Sequence, residues 1–342
     1  MTSRRLALTR AGLLLTAAPV VVLLSVAGAI TVGPSDLSTA DVFGVVGDRL
    51  GLGPSDLTLI QQGIVWDLRL PRTLLAGICG AGLAICGVIL QSMLRNPLAD
   101  PFVLGISSGA STGAVSIVVL GVGGGTLGLS TGAFLGALAS FALVMVLASL
   151  SGGTTDRLVL AGIAATQLFS ALTSFIVFTA ADAEQTRGVL FWLLGSLSAA
   201  SWGDVAVCGS VVLAGLVVCF STASWLDAFA FGSDAAATLG INVALTRALL
   251  LVLTALMTAV IVSVSGAIGF VGLVLPHLAR ALVGVGHRLL LPTSALIGAV
   301  FLVWVDTAAR TLLDPQELPV GVATALIGVP AFALILLRNR HR

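Results

Sequence analysis

Long apolar runs, repeated along the whole chain, constrain this sequence more than any other feature. Ten such runs, bounded by charges or helix breakers, lie near 11–32, 72–94, 102–121, 129–150, 157–180, 202–221, 243–264, 268–286, 291–312 and 320–337. A helix needs about 20 apolar residues to cross the hydrocarbon core of a bilayer. Only 9% of the residues are charged, whereas a soluble domain has about a quarter. The sequence therefore predicts an all-α polytopic membrane protein of about ten transmembrane helices, with residues 1–342 forming one transmembrane domain.

The distribution of arginine predicts the orientation. If residues 1–10 are cytoplasmic, eleven of the sixteen arginines fall on the cytoplasmic side, which is the side where positive charge is enriched. The loop 222–242 and the tail 338–342 are then cytoplasmic as well. The first apolar run also has the basic start and small-residue end of a secretory signal, but its length favours an uncleaved helix.

Composition excludes several functions. The formal net charge of +1 gives no basic footprint for nucleic acid. Lysine is absent, so the chain has no Walker P-loop, and any ATP and Mg²⁺ would bind a separate subunit. The four cysteines contain no CxxC pair, so neither a metal site nor another cofactor site in this chain is expected.

Small residues form a stripe on one face of the run 129–150. Gly132, Gly136 and Ser140 follow one another at four-residue spacing. Small side chains let membrane helices approach closely, because lipid supplies no hydrophobic drive between helices. This face is expected to contact another helix.

The stretch RNPLADP, residues 95–101, predicts a stiff corner between two helices. Pro97 and Pro101 lack a backbone donor and disfavour helix at the preceding residue. Arg95, Asn96 and Asp100 add polar groups between two apolar runs. The second helix is expected to stop here, and an antiparallel neighbour is expected to start at once.

Three arginines lie where the predicted orientation disfavours positive charge. Arg69 and Arg72 precede the second helix, and Arg310 lies at the outer end of the ninth. One interpretation is that they extend to the interface or pair locally, Arg69 or Arg72 with Asp67 and Arg310 with Asp306. The other is a docking site for an acidic partner, since arginine makes forked bonds to carboxylates.

The cytoplasmic loop 222–242 contains a sequence typical of a very short helix, GSDAAATLG. Ser233 is a candidate N-cap, Asp234 complements the positive helix end, and Gly240 can close the helix after Leu239. A second polar loop, GGTTDR at 152–157, contains Thr155 and Asp156. Its residues indicate either an ordinary turn, with Asp156 capping the next helix, or a flexible constriction.

Four stretches carry a resemblance to a known family. They are LRLPRTLLAGICGAGLAICGVILQSMLRNPLADPFVLGISSGA at 68–110, SDAAATLGINV at 233–243, GFVGLVLPHLAR at 269–280, and ELPVGVATALIGVPAFALILL at 317–337. In this order they resemble the permease subunits of the iron-siderophore and cobalamin ABC importers, the FecCD type. The resemblance covers most of the chain from residue 60 onwards.

The resemblance implies a type II importer permease in the bacterial cytoplasmic membrane. Its expected partners are a second permease subunit (a copy or a related chain), two cytoplasmic ATPase subunits, an extracytoplasmic substrate-binding protein and membrane lipid. It assigns binding-protein docking to the three arginines, ATPase coupling to the short helix at 233–240, and gating to Thr155 and Asp156. An acidic residue at this gate departs from the hydroxyl pattern expected of the family.

Two other classes of function stay open from the residues alone. An ion-coupled transporter would place ionisable residues near the bilayer midplane, where this sequence has almost none. An intramembrane enzyme would need a buried acid, base, nucleophile or metal cluster. The expected substrate is a ferric siderophore, with cobalamin and haem as alternatives.

Overall fold

The computed structural model describes residues 19–33, 37–55, 57–313 and 316–339, and every regular element within these ranges is a helix. The all-α prediction is confirmed. The α-helices are α1 Pro19–Thr31, α2 Thr39–Arg49, α3 Leu59–Gly63, α4 Leu70–Met93, α5 Ile106–Leu120, α6 Leu129–Leu150, α7 Thr155–Ala180, α8 Ala183–Leu193, α9 Trp202–Ser221, α10 Ala223–Ala230, α11 Ser233–Thr238, α12 Val243–Ser265, α13 Val271–Val283, α14 His287–Thr311 and α15 Val320–Asn339. A π-helix, Ile64–Arg69, joins α3 to α4, and a 3₁₀ turn, Pro101–Leu104, precedes α5.

Each of the ten predicted apolar runs contains a helix. Among the described residues, six helical segments are long and apolar enough to cross a membrane: Leu59–Met93, Leu129–Leu150, Thr155–Ala180, Trp202–Ser221, Val243–Ser265 and His287–Thr311. Four more apolar helices are shorter, namely α1, α5, α13 and α15. The basic start of the first run lies outside the described residues, as does the question of its cleavage.

Helix α4 lies at the centre of the molecule and packs against α9, α12, α13 and α14. Its glycines allow this contact. A Cβ atom on Gly80 would collide with the backbone of Gly298 in α14, and one on Gly87 would collide with that of Gly272 in α13. The two ends of the bundle are named here from α4. The Arg72 end is where α4 begins, and the corner end is where it ends.

The predicted small-residue stripe on α6 is confirmed as a helix contact. Gly132 and Gly136 face the backbone of α5 at Gly113 and Gly109, with no room for a Cβ atom. Ser140 extends the same face, and its hydroxyl donates to the carbonyl oxygen of Gly105 at 2.8 Å.

The structure also contains helices that the apolar runs did not predict. Helices α2 and α10 are only 11 and 8 residues long, and the α3 and π-helical residues extend α4 to a continuous 35-residue segment. Ser38 and Asp41 form a capping box at the start of α2, so S-x-x-D was the local signal for that helix. Helices α2 and α3 each begin with a capping box, whereas α10 has no side-chain cap.

Candidate functional site

A buried charge cluster occupies the Arg72 end. The guanidinium of Arg72 donates from Nε and Nη2 to the carboxylate of Asp306 at 3.0–3.1 Å, and from Nη1 to that of Glu317 at 2.9–3.0 Å. Arg72 is 9% exposed and Asp306 1%, whereas the Glu317 side chain is 39% exposed. A forked arginine–carboxylate bond of this kind is both strong and geometrically specific. The cluster joins α4, α14 and the segment before α15.

This pairing corrects the expected partner of Asp306. The sequence placed Asp306 one turn before Arg310, yet its carboxylate binds Arg72. The Arg310 guanidinium instead donates to the carbonyl oxygen of Ala29 in α1. Arg69, which was considered as a partner of Asp67, donates from Nη1 to the carbonyl oxygen of Ile30, at 3.2 Å. These contacts depend on which helices pack together in the folded chain, as α4 packs against α14, and not on spacing in the sequence.

The three arginines are therefore brought together at one end of the bundle, but inside the chain. Arg69 is 5% exposed and Arg310 is 6% exposed. Both anchor α1 through backbone carbonyls, and Arg72 joins α4 to α14. Docking of an acidic partner on these guanidinium groups stays a prediction. Through these contacts, the three arginines hold α1, α4 and α14 together at the Arg72 end.

The short helix predicted at 233–240 is present as α11, with one correction. Its N-cap is Gly232, at φ 113°, and Ser233 is the first helical residue. A glycine suits this position because a side chain is disfavoured at positive φ. Gly240, at φ 79°, follows the helix as predicted, and Leu239 beside it is 71% exposed. The loop 222–242 thus presents an apolar side chain at its tip.

The loop GGTTDR connects α6 to α7 and is held from α12. Gly152 and Gly153 have φ values of 102° and 69°, and the N-cap of α7 is Thr154, not Asp156. Arg247, in the second turn of α12, donates to the carbonyl oxygen of Gly153 and to the hydroxyl of Thr155, both at 3.3 Å. Arg247 was not singled out from the sequence. It links the predicted gate loop to the helix that follows α11.

The corner RNPLADP is a sharp turn, as predicted, but the expectation that it joins two neighbouring helices is wrong, because α5 packs on α6 and α7 and not on α4. Arg95 has φ 48°, and the N–H of Asn96 donates back to the carbonyl oxygen of Gln91. This is the left-handed helix ending that glycine usually supplies. The Asn96 side chain accepts from the N–H of Leu98 at 2.9 Å. Arginine at such a φ is uncommon.

The second half of the corner begins the next helical turn. Asp100 accepts from the N–H of Phe102 at 3.0 Å and caps the 3₁₀ turn that starts at Pro101. Burial raises the pKa of Asp100 to about 6, although that hydrogen bond favours the charged form. Gln91, which sequence reasoning missed, ties the corner to α13 by donating to the carbonyl oxygens of Ala99 and Gly272.

Comparison with known proteins identifies the family. The model of the FecCD transport family matches residues 20–338. The cobalamin import system permease protein BtuC of Halobacterium salinarum is 44% identical over 281 residues, which are 82% of this chain and 74% of that protein. The hemin transport system permease protein HmuU of Yersinia pestis is 41% identical and is matched over 84% of its length by 81% of this chain.

Structural comparison supports the same family assignment. A solved structure of a metal-chelate type ABC transporter in an inward-facing conformation superposes with a TM-score of 0.83. The match has 32% sequence identity and covers 95% of this chain and 99% of that one. The all-helical bundle, the corner and the short helix α11 thus occur in a chain whose family match spans nearly its full length. This chain belongs to the FecCD transport family.

Proposed function

We propose that this chain is the membrane-spanning permease subunit of an ATP-driven importer that takes up a ferric siderophore. Permeases of this family serve importers of iron chelates, haem or cobalamin, and cobalamin and haem are the alternative substrates here. The observation that carries the proposal is the family match over residues 20–338. The ferric siderophore was the first choice from the sequence, because a pathway with few charges suits a bulky chelate.

The proposed assembly contains this permease with a second copy or a related chain, two ATPase subunits that bind ATP and Mg²⁺, and an extracytoplasmic binding protein. Faces of α7 that include Leu160, Ile163, Phe175 and Phe178 are exposed in the single chain. Exposed apolar faces of this kind support burial against lipid or a second permease. The predicted gate at Thr155 and Asp156 lies beside Arg247 and belongs to the same proposal.

Uptake by proteoliposomes tests the function. The permease is reconstituted with its ATPase, and ferric siderophore, cobalamin and haem are each supplied on their binding proteins. ATP-dependent accumulation of one ligand is expected, and it must be lost when either the ATPase or the binding protein is omitted. Uptake driven by an ion gradient without the ATPase would overturn the proposal in favour of a secondary transporter.

Leu239→Asp tests the proposed ATPase contact of α11. Because the leucine is 71% exposed, the substitution leaves the permease fold intact but puts a charge at an apolar contact. We expect ATPase retention on the purified permease to fall at least tenfold and transport to fall with it. Leu52→Asp, at a leucine that is 81% exposed near α2, is the matched control and should retain the ATPase. Equal retention by both variants would remove α11 from the interface.

The proposed orientation places α11 in the cytoplasm and the loop between α5 and α6 outside. All four native cysteines are buried, so the native chain should not react with a membrane-impermeant maleimide and serves as the unlabelled control. In intact cells we expect Thr126→Cys to react and Thr238→Cys to react only after lysis. The reverse result would invert the topology and place α11 on the wrong side for an ATPase.

A further inference from the structure

A cavity of about 480 Å³ opens at the corner end, between α4, α10, α13 and α14. Its polar lining consists of basic and neutral groups: Gln91, Ser92, Arg95, His277, Arg280 and His287. Neither Arg95 nor Arg280 forms an ion pair with any residue that the structure describes. Two guanidinium groups, neither in an ion pair with a described residue, therefore line one open cavity.

The remaining polar groups fix the geometry of the cavity wall. Arg280 donates from Nη1 to the amide oxygen of Gln91 at 2.6 Å, which uses one of its five N–H groups. His277 donates from Nε2 to the carbonyl oxygen of Pro97 at 2.9 Å. The acceptors in these two bonds are a backbone carbonyl oxygen and an amide oxygen. Neither carries a formal charge, so these bonds do not neutralise the arginines.

Asp227 contacts the cavity wall through His287. Asp227 accepts from the backbone N–H of His287 at 3.0 Å and from its Nδ1 at 2.6 Å. The other ring nitrogen of His287 then accepts from the hydroxyl of Ser92 at 2.6 Å. The carboxylate of Asp227 is thus committed to His287, and it is not among the groups that line the cavity.

We infer that this cavity, which we name the corner cavity, binds a phosphate-bearing anion through Arg95 and Arg280, with His277 beside them. Arginine is suited to this ligand because its planar N–H groups match phosphate oxygens. The φ of 48° at Arg95 supports the assignment. Glycine would fit that backbone without strain, yet the chain places a charged side chain there, at the cavity.

The surroundings favour the headgroup of an anionic phospholipid as the source of the phosphate. Leu278 and Leu282 are one turn apart on α13 and are 48% and 55% exposed, and Val285, which also lines the cavity, is 75% exposed. Basic pockets between transmembrane helices on the cytoplasmic side are typical sites for anionic headgroups. Soluble phosphate shares the chemistry of the headgroup, but it has no acyl chain that could contact the apolar surface.

Thermal unfolding of the full-length chain in detergent tests the inference. Phosphatidylglycerol is expected to raise the unfolding midpoint, whereas phosphatidylcholine is not, because a ligand that binds only the folded state stabilises it. Inorganic phosphate forms the third arm. If it alone raises the midpoint, the cavity takes soluble phosphate and the inferred chemistry still holds.

The variants separate anion binding from a structural effect. Arg280→Gln should weaken the apparent affinity for phosphatidylglycerol at least tenfold, and Arg280→Lys should restore part of it. Arg288→Gln removes an equal charge from an exposed arginine that does not line the cavity, so it should bind like the native chain. Equal affinity in Arg280→Gln and Arg288→Gln would overturn the inference.

Arg95→Gly is expected to change two quantities in opposite directions, namely the unfolding midpoint without anion and the increase that phosphatidylglycerol causes. It should raise the midpoint without any anion, because glycine suits φ 48°, and should abolish the additional increase that phosphatidylglycerol causes. A lower midpoint without anion would mean that Arg95 holds the fold, contrary to the assignment. If neither anion acts on the native chain but the ATPase subunit does, the cavity is a protein contact and the inference is wrong.

Discussion

Replacing Arg72 with methionine is expected to lower the free energy of unfolding by about 3–5 kcal/mol. Asp306 is only 1% exposed, and Arg72 supplies its ion pair within the described chain. Without the guanidinium, a carboxylate is left buried and uncompensated. The measurement is denaturant or thermal unfolding of the purified permease, followed by the loss of helical signal.

A second substitution separates the ion pair from the rest of the site. Adding Asp306→Leu to Arg72→Met removes both charges and should recover most of the lost stability, because a complete buried pair can often be replaced by apolar groups. Glu317→Gln alone should change stability by about 1 kcal/mol or less, since that side chain is 39% exposed. A double variant as unstable as the sum of its single variants would show that the pair is not the cause.

Gly80→Ala is expected to destabilise the protein by about 1–3 kcal/mol, the usual range for overpacking. The added methyl group would collide with the backbone of Gly298, and a backbone cannot move aside as a flexible side chain does. Helices α4 and α14 must then separate along their whole contact. Unfolding of the purified variant measures the loss of stability.

Gly44→Ala is the matched control, because Gly44 also lies in a helix but has nothing within 4 Å of a Cβ position. Alanine is the better helix former by up to about 1 kcal/mol, so this variant should be as stable as the native chain or slightly more. If Gly80→Ala behaves like Gly44→Ala, the close approach of α4 and α14 is not required for stability.

Hydropathy predicted the positions of the apolar helices because a membrane crossing depends on local composition alone. The same is true of the corner, where Pro97 and Pro101 act on their immediate neighbours, and of the stripe Gly132, Gly136 and Ser140, which needs only helical periodicity. Each of these features is determined within a few turns of chain. Over that distance, structure can be predicted from the neighbouring residues of a single sequence.

Contacts between distant segments could not be predicted in this way. One interpretation of the sequence paired Asp306 with Arg310, four residues away, but Asp306 pairs with Arg72, 234 residues away. The role of Gln91 in joining the corner to α13, and that of Arg247 in holding the loop after α6, depend on helices that meet only in the folded chain. Ser233 was a reasonable N-cap by residue type, but positive φ at the preceding position favoured Gly232.

The central position of α4 also sets the order in which this protein can be assembled. Its arginine is synthesised 234 residues before Asp306. At about 5–20 residues per second, roughly 10–50 s pass before the partner helix leaves the ribosome. During that interval the positive charge of Arg72 and the glycine face of α4 have no protein neighbour on the α14 side. Completion of the bundle therefore waits for the last third of the chain, and a product that terminates before α14 leaves Arg72 without both of its carboxylate partners, Asp306 and Glu317.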